Sequence, residues 1–142
     1  MHRIAEQIDG ISFDWYIAIS RGGLVLAALL SQITGQRNID TFCISRYSSD
    51  GDPCQAKIIH KNFSHLFNKN ILLIDDLLDH GETVNLTMKY LKSWRGAAVK
   101  SIKLAVIYWK PHSIVIPDFY IEKCESDKWI DFKWELEQNI ED

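Results

Sequence analysis

A chain of 142 residues, 46% hydrophobic and 25% charged, is long enough for one substantial core and predicts a single domain over residues 1–142. Its formal charge of -3 excludes the broad basic surface of a general nucleic-acid binder, so any anionic ligand must be held by local groups. Cys43, Cys54 and Cys124 are odd in number and include no Cys-x-x-Cys pair, which fits reduced thiols in a cytoplasmic protein better than disulfides or a zinc cluster.

Met1 to Ile8 reads as a short helix with Ile4 and Ile8 one turn apart; Glu6 and Asp9 make this segment unlike a secretory signal. Trp15 to Ile19 predicts a buried strand, broken by Ser20-Arg21-Gly22-Gly23. Leu24 to Ile33 is apolar almost all round, as in a helix packed on a sheet, with Gly35 as its stop. The longest apolar run, Leu24 to Leu30, falls well short of the roughly 20 residues that span a bilayer. Asp40 to Ser45 predicts a second strand, and Arg46 to Pro53 has the composition of a mobile loop. Ile71 to Ile74 reads as a central parallel strand, apolar on both faces. A helix follows with Val84, Met88, Leu91 and Trp94 on one side, then strands at Ile102 to Tyr108 and Phe119 to Ile121. The alternation implies an α/β fold with a mainly parallel sheet, whose ligands bind where strands end. The loops at 20–23 and 79–83 should therefore share one rim.

The most informative stretch is Ile71-Leu72-Leu73-Ile74-Asp75-Asp76-Leu77-Leu78-Asp79-His80-Gly81-Glu82-Thr83. An apolar strand runs into two carboxylates, a third, and a glycine-centred loop that opens a helix, a pattern suited to a phosphorylated sugar. Loop amides and a helix N-terminus can hold phosphate, while carboxylates can hold sugar hydroxyls and a hard cation. Neighbouring strand side chains point to opposite faces, so Asp75 and Asp76 must differ in role. Two adjacent ionised carboxylates also repel and require cations or donors nearby. Gly81 permits positive φ or close approach to an anion; Thr83 offers its hydroxyl to that anion or caps the helix; Glu82 faces solvent and favours the helix start. Neither Gly-x-x-x-x-Gly-Lys-Ser/Thr nor Gly-x-Gly-x-x-Gly is present. An acidic pair this late in the chain does not fit a response-regulator receiver, and its spacing does not fit a haloacid dehalogenase.

Residues 71–83 resemble the phosphoribosyl-pyrophosphate signature of type I phosphoribosyltransferases. Ile17-Ala18-Ile19-Ser20-Arg21-Gly22-Gly23-Leu24-Val25, Cys43-Ile44-Ser45-Arg46-Tyr47, Lys110-Pro111 and Asp127-Lys128-Trp129-Ile130 follow in the order seen in bacterial xanthine-guanine phosphoribosyltransferases and the wider 6-oxopurine group. The resemblance implies that fold, with a small C-terminal base-binding hood. It also implies transfer of a phosphoribosyl group from magnesium-bound phosphoribosyl pyrophosphate to guanine, xanthine or hypoxanthine.

By the same resemblance, loop 79–83, with His80, Gly81, Glu82 and Thr83, holds the 5′-phosphate, and Asp75 and Asp76 bind ribose hydroxyls and Mg2+. Asp79 acts as general base, and Arg21 and Gly22 hold pyrophosphate beside a non-proline cis peptide at Ser20-Arg21. Lys110 donates to the 6-oxo group, Trp129 stacks on the purine, and the Ile130 backbone reads its far edge. Residues 46–61 match a mobile lid with Tyr47 as its tyrosine, and Lys57 or Lys61 is a second cation for pyrophosphate or an ordinary surface lysine. Taken without the resemblance, Lys110 is equally a solvated strand end and Trp129 a core aromatic; Trp15, Trp94, Trp109 and Trp134 read as packing residues. The resemblance further implies a homo-oligomer, dimer or tetramer; the charge and the short apolar runs predict no nucleic-acid partner and no membrane span. His80 stands where the family has threonine or serine, Arg46 replaces a serine, and the N-terminal segment is short. His80 and the short N-terminal segment keep open a non-catalytic sensor of phosphoribosyl pyrophosphate or a nucleotide.

Overall fold

The computed structural model describes residues 1–47, 55–59, 62–125, 130 and 132. Helix α1 (His2–Gln7) precedes strand β1 (Trp15–Ser20), helix α2 (Gly22–Thr34), and strands β2 (Ile39–Tyr47) and β3 (Gln55–Ile58). A 3-10 turn (Ser64–Leu66), strand β4 (Asn70–Leu78), helix α3 (Glu82–Lys92), and strands β5 (Ser101–Trp109) and β6 (Phe119–Lys123) complete the order. One sheet runs β3-β2-β1-β4-β5-β6, with β2, β1, β4, β5 and β6 parallel and β3 antiparallel at the edge.

The apolar runs are explained by burial on both faces of this sheet. Ile17, Ile19, Ile71 and Leu73 enter one core with Phe42, Phe63, Val84 and Leu91, under α3. The alternate residues Tyr16, Ala18, Leu72 and Ile74 enter a second core with Ile4, Leu26, Ala27 and Leu30, under α1 and α2. β4 therefore has no solvent-facing side along Ile71–Ile74, as its composition predicts. Gly35 ends α2 in the left-handed region at φ 76°, donating its N–H to the Ser31 carbonyl at 2.8 Å.

Several expectations are corrected. β4 keeps its ladder with β5 through Leu78, so Asp75 and Asp76 lie inside the strand rather than at its end. Arg46 and Tyr47 belong to β2, because the chain returns as β3 and pairs Tyr47 with Gln55. α3 stops at Lys92 and Ser93 turns extended, which leaves Trp94 85% exposed beside Phe67 rather than on the packed side. Only Leu26, Ala27 and Leu30 of the apolar part of α2 are buried; Leu24, Val25, Leu29 and Ile33 face outward. Trp15 and Trp109 do pack against the core, and Trp134 lies outside the described residues. No helix among the described residues is long and apolar enough to cross a membrane.

α2 lies close against the β4 backbone at Gly23, where a Cβ would overlap the Ile74 carbonyl oxygen. Both partners are backbone, so neither can yield by a rotamer change. Gly23→Ala should therefore cost about 2–3 kcal/mol or more. Thermal unfolding followed by circular dichroism should show a correspondingly lower Tm, and an unchanged Tm would refute this account of the contact.

Candidate functional site

An open cavity of about 450 Å³ lies at the carboxyl ends of β1 and β4, lined by Ser20, Ile44, Asp75 and residues 79–83 among others, and the segment after β5 is hydrogen-bonded to the 78–81 loop beside it. The peptide Ser20-Arg21 is cis, as the resemblance implies, and Arg21 is exposed at the head of α2. A side chain on Gly22 would overlap the Asp76 carboxylate, so glycine is what lets the loop backbone lie against that acid. Asp75 lines the cavity with the 79–83 loop. The strand's alternation thus gives one carboxylate to each of two loops.

Gly81 (φ 84°) turns the chain into α3, and a Cβ there would meet Ser113 Oγ. Glu82 is the first helical residue and is exposed, in keeping with its expected place at the positive end of the helix dipole. Thr83 is not the N-cap; Gly81 holds that position, so Thr83 is the second helical residue, and it lines the cavity. The first turn of such a helix directs backbone N–H groups at whatever occupies the loop.

Asp79 lies between groups brought by two segments. Its Oδ1 is 2.8 Å from His112 Nε2, 3.4 Å from Lys110 Nζ and 3.6 Å from His80 Nδ1. Lys110 is buried, with 10% of its side chain exposed, so it is not a solvated strand end. Its amide donates to the Leu78 carbonyl and the Ile114 amide to the His80 carbonyl, both at 3.0 Å, which binds segment 110–115 to the 78–81 loop. His112 was not singled out from the sequence. Its only signal is its place two residues after Lys110, and its partner is set by the turn in which Ser113 N–H bonds the Lys110 carbonyl at 3.0 Å.

The remaining candidates are not brought into this cluster by the described residues. Tyr47 contributes the last backbone position of β2, Lys57 pairs with Ser45 in the β2–β3 ladder, and Ile130 is half-buried. Lys61 and Trp129 lie outside the described residues, as does most of the segment to which a base-binding hood is assigned.

Burial pushes the Asp75 carboxyl well above its ordinary value of 3.8, and the neighbouring Asp76 carboxylate pushes in the same direction. Its Oδ1 accepts the Asp76 N–H at 3.0 Å, which opposes the shift without cancelling it. A carboxyl raised on folding stabilises the native state below its unfolded value, and that contribution is lost as pH rises through the folded value. Asp75→Asn keeps the acceptor and removes the charge. It should raise Tm relative to wild type at neutral pH, with the gap closing as pH falls toward 3.8; a gap independent of pH in melts across this range would contradict the assignment.

The sequence matches the phosphoribosyl transferase domain family over residues 1–140. The structure is similar to a purine phosphoribosyltransferase from Pyrococcus horikoshii, with 32% identity, TM-score 0.81, and coverage of 98% of this chain and 88% of that one. It shares its fold with a Neisseria gonorrhoeae hypothetical protein with bound ppGpp, at 24% identity, TM-score 0.78, and coverage of 95% and 82%. The same holds for the Helicobacter pylori xanthine-guanine-hypoxanthine phosphoribosyltransferase, at 23% identity, TM-score 0.74, and coverage of 94% and 84%. With its acidic strand, its glycine-centred loop and a match over nearly its whole length, the chain belongs to the type I phosphoribosyltransferase family.

Proposed function

We propose that residues 1–142 act as one domain that transfers the 5-phosphoribosyl group from phosphoribosyl pyrophosphate to a 6-oxopurine: guanine, xanthine or hypoxanthine. The observation that carries this is Asp79 at the mouth of the phosphate loop, with buried Lys110 3.4 Å from its carboxylate. A base seated there meets a proton acceptor and a fixed cation together. The similarity to the Pyrococcus horikoshii purine enzyme and the Lys110-Pro111 pair support a purine over other acceptors.

In the proposed reaction a purine ring nitrogen attacks the anomeric carbon and the bond from that carbon to the pyrophosphate oxygen breaks. Pyrophosphate leaves with the bonding electrons, and the proton of the attacking nitrogen passes to Asp79. Positive charge grows on the ribose while negative charge grows on the leaving group, so both ends need stabilisation at once. Arg21 and the Gly22 backbone would receive pyrophosphate, with Tyr47 and Lys61 or Lys57 as further contacts to it. His80, Gly81, Glu82 and Thr83 would hold the 5′-phosphate, chiefly through backbone amides. Lys110 would bond the 6-oxo group, with Trp129 stacking on the ring and the Ile130 backbone reading its edge.

Asp75 and Asp76 fit Mg2+: both offer hard oxygen donors, and the repulsion between two adjacent carboxylates is one that a cation would relieve. When bound there, the ion would neutralise the sugar-diphosphate. A homo-oligomer, dimer or tetramer, is supported by the uncharged outer side of α2, where Leu24, Val25, Leu29 and Ile33 are each 37–45% exposed. A cytoplasmic place is supported by the cysteine content and by Cys43 and Cys124, which no disulfide links.

The alternative, a sensor of phosphoribosyl pyrophosphate or a nucleotide without turnover, draws on His80 replacing a hydroxyl in the phosphate loop. Purified protein with magnesium and phosphoribosyl pyrophosphate should convert at least one of the three bases to its monophosphate. Asp79→Asn should lower kcat about 10²–10⁴-fold. Calorimetric binding without product from any base, in folded protein, would favour the sensor.

A further inference from the structure

We infer that Asp79, His80 and His112 form a binding site for a divalent first-row transition-metal ion such as zinc, distinct from the oxygen-only Asp75/Asp76 pair. The three side chains offer one carboxylate oxygen and two imidazole nitrogens, all within 4.8 Å of one another. This is the donor set of three-ligand zinc and related sites that keep a position open. A shared ion would bring each donor to about 2.0–2.2 Å, which requires the donors to close by roughly an ångström at their widest.

That closure is easily reached. The His80 side chain is 74% exposed and can rotate, and its ring already meets the His112 ring edge-on with centroids 4.8 Å apart. The frame behind the donors is fixed. The Leu78–Lys110 and His80–Ile114 backbone hydrogen bonds join the two segments that carry them. Lys110 Nζ, 3.4 Å from Asp79 Oδ1, orients the carboxylate from the protein side. Its positive charge also weakens any cation there, so the site should be a reversible one. Asp79 and His80 are open toward solvent, leaving room for water or an anion as a further ligand.

Binding rests on this geometry alone; its consequence rests on the transferase function proposed above. An ion on Asp79 takes the lone pair that would accept the purine proton, so occupancy should halt turnover. Magnesium cannot substitute, because it avoids imidazole and retains oxygen ligands.

The test uses untagged protein stripped with chelator, in excess magnesium. Cobalt(II) is titrated by its visible d–d absorption and zinc by calorimetry. One equivalent should bind, with zinc displacing cobalt. His80→Gln and His112→Gln should each weaken binding about 10–100-fold, while His65→Gln, at a remote His65–Asp40 pair, should not. Both loop histidines are at least partly exposed, so the variants should fold, as circular dichroism would verify. No saturable binding, or binding unchanged in both loop variants, would overturn the site. Turnover followed in the same zinc titration should fall in proportion to occupancy, and full activity at full occupancy would overturn the inhibitory role. Activity of the metal-free protein tests the transferase proposal separately and does not bear on whether the ion binds.

Discussion

Strand β4 is held by backbone hydrogen bonds to β1 on one side and β5 on the other, and by apolar cores above and below. A strand so enclosed cannot carry polar chemistry along Ile71–Ile74 without burying unpaired groups. Its chemistry is forced toward the carboxyl end, where the cores stop. Because β1 and β5 run parallel to it, their own loops emerge at that same edge. The Arg21–Gly22 loop, the 79–83 loop and the 110–115 segment are neighbours for this reason, although Arg21 and Lys110 are 89 positions apart in the chain.

The same enclosure sets the electrostatics. Asp75 is raised chiefly by burial, a cost that water would otherwise remove. Asp76 sits against Gly22 at the α2 loop, while Gly81 at the α3 loop sits against Ser113. Side chains at either position would push the loops outward. The cluster around Asp79 follows a different rule, since its charge is met by Lys110 and, when protonated, by the imidazoles.

Much of this was legible in the residues because the signals are local. An unbroken Ile71–Ile74 run into acids announces a central strand, and Gly35 and Gly81 mark turns that require positive φ. What was missed depends on partners. Gln55–Ile58 carries too little apolar character to announce β3, which exists because β2 offers it an edge. An all-round apolar pattern cannot say which side of α2 meets the sheet, so Leu24 and Leu29 were not distinguished from Leu26 and Leu30. Thr83 reads as a cap only if the helix begins after it, and Gly81 begins it earlier. His112 acquires a role through a turn whose closing bonds come from another loop.

The stitching of segment 110–115 onto the 78–81 loop has an evolutionary consequence. Gly81 packs on Ser113, and the His80 carbonyl holds the Ile114 amide, so the two loops share one backbone frame. A lineage cannot lengthen the turn after Pro111 without also re-aiming the start of α3. Variation among relatives should therefore arise here by side-chain replacement rather than by insertion. The chain's length is constrained here even though the residues lie on the surface, where insertions are ordinarily tolerated.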